Sequence, residues 1–207
     1  MKSTAAVLAL MVAALAPAAA QDTGTGSETV RRAVHVCNAC HGDGGRAQVP
    51  GTPSLDGQMP QYLQRQLKDF RSQARSEASN QAYMWGVSAL LDDTTIEGLA
   101  AYYAAQPPKA GQPAGPASAR LLRAGRKIYD QGIEARGVKA CSGCHGNDAE
   151  GDAGFPRLAG QSAVYLGNQL KLFRSTPLRQ HGVLMKKESK SLDNAEIRAV
   201  VAYLQSK

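Results

Sequence analysis

The chain repeats one sequence pattern twice, about a hundred residues apart, and this repeat restricts the fold more than any other feature. The first copy contains Cys37-Asn38-Ala39-Cys40-His41, and the second contains Cys141-Ser142-Gly143-Cys144-His145. A second stretch, Pro53-Ser54-Leu55-Asp56-Gly57-Gln58, recurs in the same order as Pro156-Arg157-Leu158-Ala159-Gly160-Gln161. A long, ordered self-match of this kind indicates two copies of one small domain.

Apolar residues within each copy recur at the spacing of a helix face. Each copy has two such stretches. In the first copy they are Tyr62, Leu63, Leu67 and Phe70, followed by Ile96, Leu99, Ala100 and Tyr103. In the second copy they are Tyr165, Leu166, Leu170 and Phe173, followed by Ile197, Val200, Val201 and Leu204. Asp193 and Glu196 have the spacing of a capping box at the start of the last helix, and Asp92 or Thr94 is expected to cap its counterpart. No segment alternates as a strand would. We therefore predict an all-α fold of two tandem helical domains.

The start of the chain resembles an export signal. Lys2 is followed by an apolar run over 5–15, by Pro17 and by small residues up to Ala20. This pattern is typical of a secretory signal peptide over 1–20, and an uncleaved anchor is the alternative. We expect the protein to be periplasmic.

The remaining chain divides at a segment rich in Pro and Gly. We predict an N-terminal domain at 21–106, an extended linker at 107–119 and a C-terminal domain at 120–207. Domains this small need a source of stability in addition to the hydrophobic core, such as a bound cofactor.

Two C-x-x-C-H motifs in matching context predict two covalently attached c-type haems. The paired thiols, Cys37 with Cys40 and Cys141 with Cys144, suit thioether bonds to the haem vinyl groups, while the adjacent His binds the iron. Two disulfides are the ordinary alternative in an exported protein, but the spacing argues against them. Zinc needs a fourth ligand, and a thioredoxin-like thiol site needs a βαβ setting that the pattern lacks.

The iron ligands opposite His41 and His145 are predicted to be Met84 and Met185. Each Met lies seven residues before a Leu-Asp pair that precedes the last helix, so we expect it in a loop that crosses the distal face of the haem. Core filling is the alternative for any single Met. His181 and His35 are rival ligands.

Charge is distributed unevenly between the two halves. Residues 21–106 contain seven Lys and Arg against nine Asp and Glu, whereas 107–207 contain sixteen against eight. An export signal and the lack of a recognisable nucleic-acid-binding module argue against a nucleic acid partner. The basic half either orients the protein toward an acidic redox partner or is an ordinary solvated surface.

With these motifs, the sequence resembles the dihaem cytochrome c4 family of class I c-type cytochromes. The resemblance covers nearly the whole mature chain. It implies two cytochrome c domains related by a pseudo-twofold axis, with the carbonyls of Pro53 and Pro156 orienting the proximal histidines. The chain departs from the commoner family pattern over 81–86, around Met84.

The resemblance also implies a function. It predicts transfer of single electrons between a respiratory donor, such as a quinol-oxidising complex or a dehydrogenase, and a terminal oxidase or reductase. The expected partners are redox proteins, and peripheral association with a membrane is included in that expectation. A dihaem peroxidase is the enzymatic alternative to this non-enzymatic role, and a dedicated cytochrome subunit of a periplasmic dehydrogenase is a third hypothesis.

Overall fold

The structure, a computed structural model, describes residues 26–76, 81–110, 117–176 and 179–207. The predicted signal peptide at 1–20 and the centre of the predicted linker at 111–116 lie outside the described residues. The helices are α1 Glu28–His41, α2 Pro60–Arg71, α3 Gln81–Ala89, α4 Asp93–Ala104, α5 Ala119–Gln131, α6 Ser142–His145, α7 Ala163–Ser175, α8 Val183–Ser189 and α9 Asn194–Gln205. Helices α1–α4 belong to the first repeat and α5–α9 to the second.

The prediction of an all-helical fold is confirmed. Short 3₁₀ turns connect some of the helices, and extended pairing within the described ranges is limited to isolated bridges such as the one between Arg75 and Arg179. No helix in those ranges is both long enough and apolar enough to cross a membrane.

The helix ends follow from local sequence. The Ser27 hydroxyl accepts a hydrogen bond from the Val30 N–H at the start of α1, and Ser118 caps α5 in the same way. The predicted capping box of α9 is present, with Asp193 and Glu196 each accepting from the other's backbone N–H. Asp92, rather than Thr94, caps α4. Such caps satisfy backbone donors that a helix leaves unpaired at its first turn.

Each repeat has its own hydrophobic core. The first cluster consists of Val30, Val34, Leu63, Leu99, Ala100 and Tyr103. The second includes Tyr129, Leu166, Ile197, Val200, Val201 and Leu204. The helical faces predicted for α4 and α9 are thus the buried ones.

A glycine lets the first and last helices of each repeat approach closely, but it lies on a different helix in each. In the first repeat it is Gly98 of α4, where a Cβ atom would lie 2.5 Å from Val30 Cγ2. In the second it is Gly125 of α5, where a Cβ atom would lie 2.0 Å from the Ala199 carbonyl oxygen. The backbones of α5 and α9 are therefore in direct contact at this crossing.

Four polar side chains join the two repeats through reciprocal contacts. Arg75 donates to Gln66 Oε1 at 2.8 Å and to Gln169 Oε1 at 3.2 Å. Arg179 donates to Gln66 Oε1 at 2.9 Å and to Gln169 Oε1 as well. Arg75 also stacks on the ring of Phe70 of its own repeat, and Arg179 on that of Phe173. The two domains therefore meet through a buried polar interface.

Candidate cofactor sites

The two C-x-x-C-H motifs lie on helices that end at the histidine. In the first repeat, Cys37, Cys40 and His41 occupy the last turns of α1. In the second, α5 stops at Gln131, Cys141 is the N-cap residue of the separate short helix α6, and Cys144 and His145 lie on that helix. The paired cysteines are three residues apart, so both thiols point from one side of the helix, as double attachment to one planar group requires.

A glycine after each histidine reverses the chain. Gly42 has φ 77° and Gly146 has φ 83°, conformations that side chains with a Cβ rarely adopt. At Gly42 a Cβ atom would also lie 2.1 Å from the Arg46 carbonyl oxygen. The returning loop is held by a hydrogen bond from Leu55 N–H to the Gly45 carbonyl at 2.7 Å. These contacts bring the Pro-containing segment back over the histidine.

Both proximal histidines are held by a backbone carbonyl. His41 Nδ1 lies 2.9 Å from the Pro53 oxygen, and His145 Nδ1 lies 2.9 Å from the Pro156 oxygen. A carbonyl oxygen only accepts, so Nδ1 carries the proton and donates it in both bonds. The lone pair of Nε2 is then available for a metal ion, which is the usual arrangement of a metal-binding histidine.

Burial favours the neutral form of these imidazoles. Desolvation lowers the pKa of His41 and of His145, and the hydrogen bond to the carbonyl opposes this only in part. Neutral imidazole is the form that binds a metal. The ring of Phe155 meets the His145 ring edge-on, with centroids 6.3 Å apart.

None of the four cysteines is paired in a disulfide, which contradicts the disulfide alternative for these residues. Cys37 and Cys141 are half-buried, while Cys40 and Cys144 are exposed. Burial raises the pKa of Cys37 and raises that of Cys141 to about 11. Within the described part of the chain, no group of three or more His, Cys, Asp or Glu residues is arranged to hold a metal ion such as zinc.

Met84 and Met185 are both half-buried, and they occupy equivalent helices. Met84 lies on α3, which packs against α2, and Met185 lies on α8, which packs against α7. The expectation that each Met lies in a loop is therefore wrong. Residues 81–89 and 183–189 contain no proline, and the good helix formers among them allow a short helix on the way to the capped last helix.

The rival histidines have other surroundings. His181 Nδ1 lies 2.8 Å from Oδ1 of the buried Asp69, so it joins the two repeats. His35 is exposed on α1, on the chain ahead of Cys37.

The polar groups around the two sites fit a bound cofactor. Among the described residues, three buried polar atoms have no hydrogen-bond partner, namely Arg157 Nε, Ser88 Oγ and Ser189 Oγ. Arg157 follows the proline that orients His145, and each serine lies one helical turn after Met84 or Met185. A haem brings carboxylate groups, which are suitable acceptors for the buried Nε–H of Arg157.

Comparison with known proteins agrees with this geometry. The family model described as "Cytochrome c" matches residues 122–207. The chain is 38% identical to cytochrome c4 of Thiocapsa roseopersicina, over 91% of this chain and 95% of that one. The chain belongs to the cytochrome c4 family.

Two further relatives of this cytochrome c4 family member are informative. A solved cytochrome c4 structure from Acidithiobacillus ferrooxidans has a TM-score of 0.75 and 37% identity, and the match covers 83% of this chain and 98% of that one. A protein of Stutzerimonas stutzeri (strain A1501) named "Thiosulfate dehydrogenase electron acceptor" is 34% identical, over 83% of this chain and 78% of that one. Membership establishes two tandem all-α cytochrome domains and two covalent haem c groups, attached at Cys37 with Cys40 and at Cys141 with Cys144.

Sequence reasoning missed the residues that connect the two sites. Gln58 and Gln161 were visible as part of the repeated Pro-x-Leu-x-Gly-Gln stretch, but no role followed from the repeat alone. The available signal was their equivalent position, three residues after Leu55 in the first repeat and three residues after Leu158 in the second.

Proposed function

We propose that this protein carries single electrons in the periplasm, from a quinol-oxidising complex or a dehydrogenase to a terminal oxidase or reductase. The observation that supports this most is that both repeats present a neutral histidine held by a proline carbonyl. Two sites built alike favour electron transfer over a division of labour between a catalytic haem and an electron-supplying haem. When bound, each haem supplies an iron that changes oxidation state by one electron.

We assign the axial positions to His41 and Met84 in the first domain and to His145 and Met185 in the second. A thioether ligand favours Fe(II) relative to a second imidazole, so it raises the reduction potential. A haem held by both residues would have no iron position open to oxygen or peroxide. Pro53 and Pro156 orient the two histidines through their carbonyl groups.

The domain boundaries and the export signal belong to the same proposal. Domains at 21–106 and 120–207, joined by 107–119, give each haem its own hydrophobic core. Cleavage of 1–20 on export places the protein where c-type haems are exposed to periplasmic partners.

A second candidate role is that of dedicated electron acceptor of one dehydrogenase. The Stutzerimonas stutzeri relative named "Thiosulfate dehydrogenase electron acceptor" favours it. The basic second half, with exposed Lys187 and Lys190 on and just after α8, suits a partner with an acidic surface. In this role the chain supplies an electron-transfer path and a binding surface for the dehydrogenase, and it remains an electron carrier.

The first experiment is optical spectroscopy of the purified protein with a pyridine haemochrome count. We expect two c haems per chain and the weak near-infrared band of iron-bound methionine in the oxidised state. Met84→Ala and Met185→Ala should each remove about half of that band and lower one reduction potential. Met59→Leu is the matched control, because Met59 precedes α2 and is not an assigned ligand.

Three outcomes contradict the proposal. An unchanged near-infrared band in Met185→Ala removes that residue as a ligand, and the same holds for Met84. Rapid turnover of peroxide with a reduced donor supports the peroxidase alternative instead. Failure to exchange electrons with any reduced dehydrogenase or quinol-oxidising complex contradicts the carrier role.

A further inference from the structure

Two glutamines each hold one residue of the opposite domain by both of its backbone groups. Gln161 Oε1 accepts from Ser54 N–H at 2.8 Å, and Gln161 Nε2 donates to the Ser54 carbonyl at 2.8 Å. Gln58 Oε1 accepts from Arg157 N–H at 2.7 Å, and Gln58 Nε2 donates to the Arg157 carbonyl at 3.0 Å. Both glutamines are buried, with 5% and 6% of their surface exposed.

Each glutamine is also fixed by its own domain. Gln58 Oε1 accepts from Met59 N–H at 3.0 Å, at the start of α2. Gln161 Oε1 accepts from Ser162 N–H at 2.8 Å, at the start of α7. The amide oxygen is therefore shared between a helix start in one domain and a backbone N–H in the other.

The peptide group that each glutamine contacts is the one that orients a haem-binding histidine. The Pro53–Ser54 peptide accepts from His41 Nδ1–H through its carbonyl and donates to Gln161 through its N–H. The Pro156–Arg157 peptide accepts from His145 and donates to Gln58 in the same way. A peptide group is one conjugated unit, so a hydrogen bond at its N–H increases electron density on its carbonyl oxygen.

We propose that Gln161 tunes the haem of the N-terminal domain and Gln58 tunes the haem of the C-terminal domain, each through the proximal peptide of the opposite domain. The inference rests on the proposed axial roles of His41 and His145. A carbonyl with more electron density accepts the Nδ1–H bond more strongly, which makes the imidazole a better donor to iron and favours Fe(III). Gln58 and Gln161 are thus positioning residues that act through the proximal histidines.

This arrangement makes domain contact and oxidation state depend on each other. If the glutamine contact lowers the potential of the opposite haem, oxidation of that haem strengthens the glutamine contact by the same factor. Each domain therefore responds to electron transfer in the other through this contact.

The test replaces each glutamine by methionine, which has similar length and no hydrogen-bonding amide. Potentiometric titration resolves the two one-electron waves, and haem methyl NMR signals assign each wave to a domain. Loss of one polarising hydrogen bond is expected to shift the reduction equilibrium about threefold toward Fe(II). This corresponds to about 30 mV, since a tenfold change in a one-electron couple is 59 mV.

Each substitution is expected to change the reduction potential of the haem in the opposite domain. Gln161→Met raises the potential of the N-terminal haem and moves the His41 Nδ1 proton signal of the reduced protein toward weaker hydrogen bonding. Gln58→Met does the same for the C-terminal haem and His145. Gln169→Met is the matched control, because it is equally buried at the interface but contacts Arg75 and Arg179 rather than a proximal peptide.

Two results overturn the inference. One is a pair of potentials that stay unchanged in both variants, and the other is a shift no different from that of Gln169→Met, which means that the glutamines only hold the domains together. If one glutamine variant fails to fold, the other variant alone tests the inference. Gln161→Leu can replace Gln161→Met in the same measurement. The proposed function fails separately, if the unmodified protein lacks two one-electron waves.

Discussion

The crossing of α5 and α9 gives the sharpest test of how the second domain is packed. Gly125 lies inside α5, where alanine would be favoured by helix propensity by about 1 kcal/mol. The added Cβ atom would lie 2.0 Å from the Ala199 carbonyl oxygen and 2.9 Å from Tyr203 Cβ. Real contacts of this kind stay beyond 3.0 Å, so the two helices have to separate.

The cost of this separation outweighs the gain in propensity. Overpacking a tightly packed site costs about 1–3 kcal/mol, and a backbone oxygen that cannot rotate away places Gly125→Ala at or beyond the upper end. Subtracting the propensity gain leaves a net loss of about 2 kcal/mol. For a domain of this size, that loss lowers the Tm of the second domain by about 8–16 °C.

Gly167→Ala is the matched control. Gly167 also lies inside a helix of the second domain, α7, but apart from its chain neighbours and the nearby backbone of its own helix no atom lies within 4 Å of the position that its Cβ would take. We expect this variant to be more stable than the unmodified protein by about 0.5–1 kcal/mol. Thermal unfolding of the haem-loaded protein, followed by circular dichroism and haem absorbance, measures both changes. The reasoning fails if Gly125→Ala proves as stable as Gly167→Ala.

Three further predictions concern the cofactor sites and the cores around them. Cys40→Ala or Cys144→Ala should reduce covalent haem in the affected domain and destabilise it, and a variant with normal pyridine haemochrome content and unfolding would contradict this. Tyr129→Phe should cost about 1 kcal/mol in urea unfolding, because the buried hydroxyl donates to the Gly146 carbonyl at 2.6 Å; an unchanged midpoint would show that the bond contributes nothing. Gly98→Ala should cost less than Gly125→Ala in the same assay, since the atom it meets is the end of the Val30 side chain, and an equal or larger loss would refute that comparison.

Several features of the protein followed from sequence because their causes are local. The capping box at Asp193 and Glu196 depends on residues three apart, and the buried faces of α4 and α9 depend on helical periodicity. The C-x-x-C-H motifs predicted covalent haem, because the three reacting side chains lie within five consecutive residues. Family membership confirmed this prediction.

Other local features were not predicted correctly, because they depend on packing against neighbouring helices. The Met84 and Met185 segments were expected to be loops, yet both are helical and pack on the neighbouring helix. The second repeat breaks its first helix between Gln131 and Ser142, whereas α1 runs unbroken into its motif. The repeated sequence pattern alone does not reveal that difference.

The sequence by itself determined the two haem-binding motifs, the all-helical fold and the presence of two similar domains. Each of these features depends on residue spacings within a short segment or on the repeat of the whole pattern. The tertiary structure alone decided how the domains meet. The contacts of Gln58 with Arg157 and of Gln161 with Ser54 join residues about a hundred positions apart, and so do those of Arg75 and Arg179 with the glutamines of the opposite repeat. No periodicity encodes such pairs, because their partners become neighbours only once both domains have folded and buried these polar groups against each other.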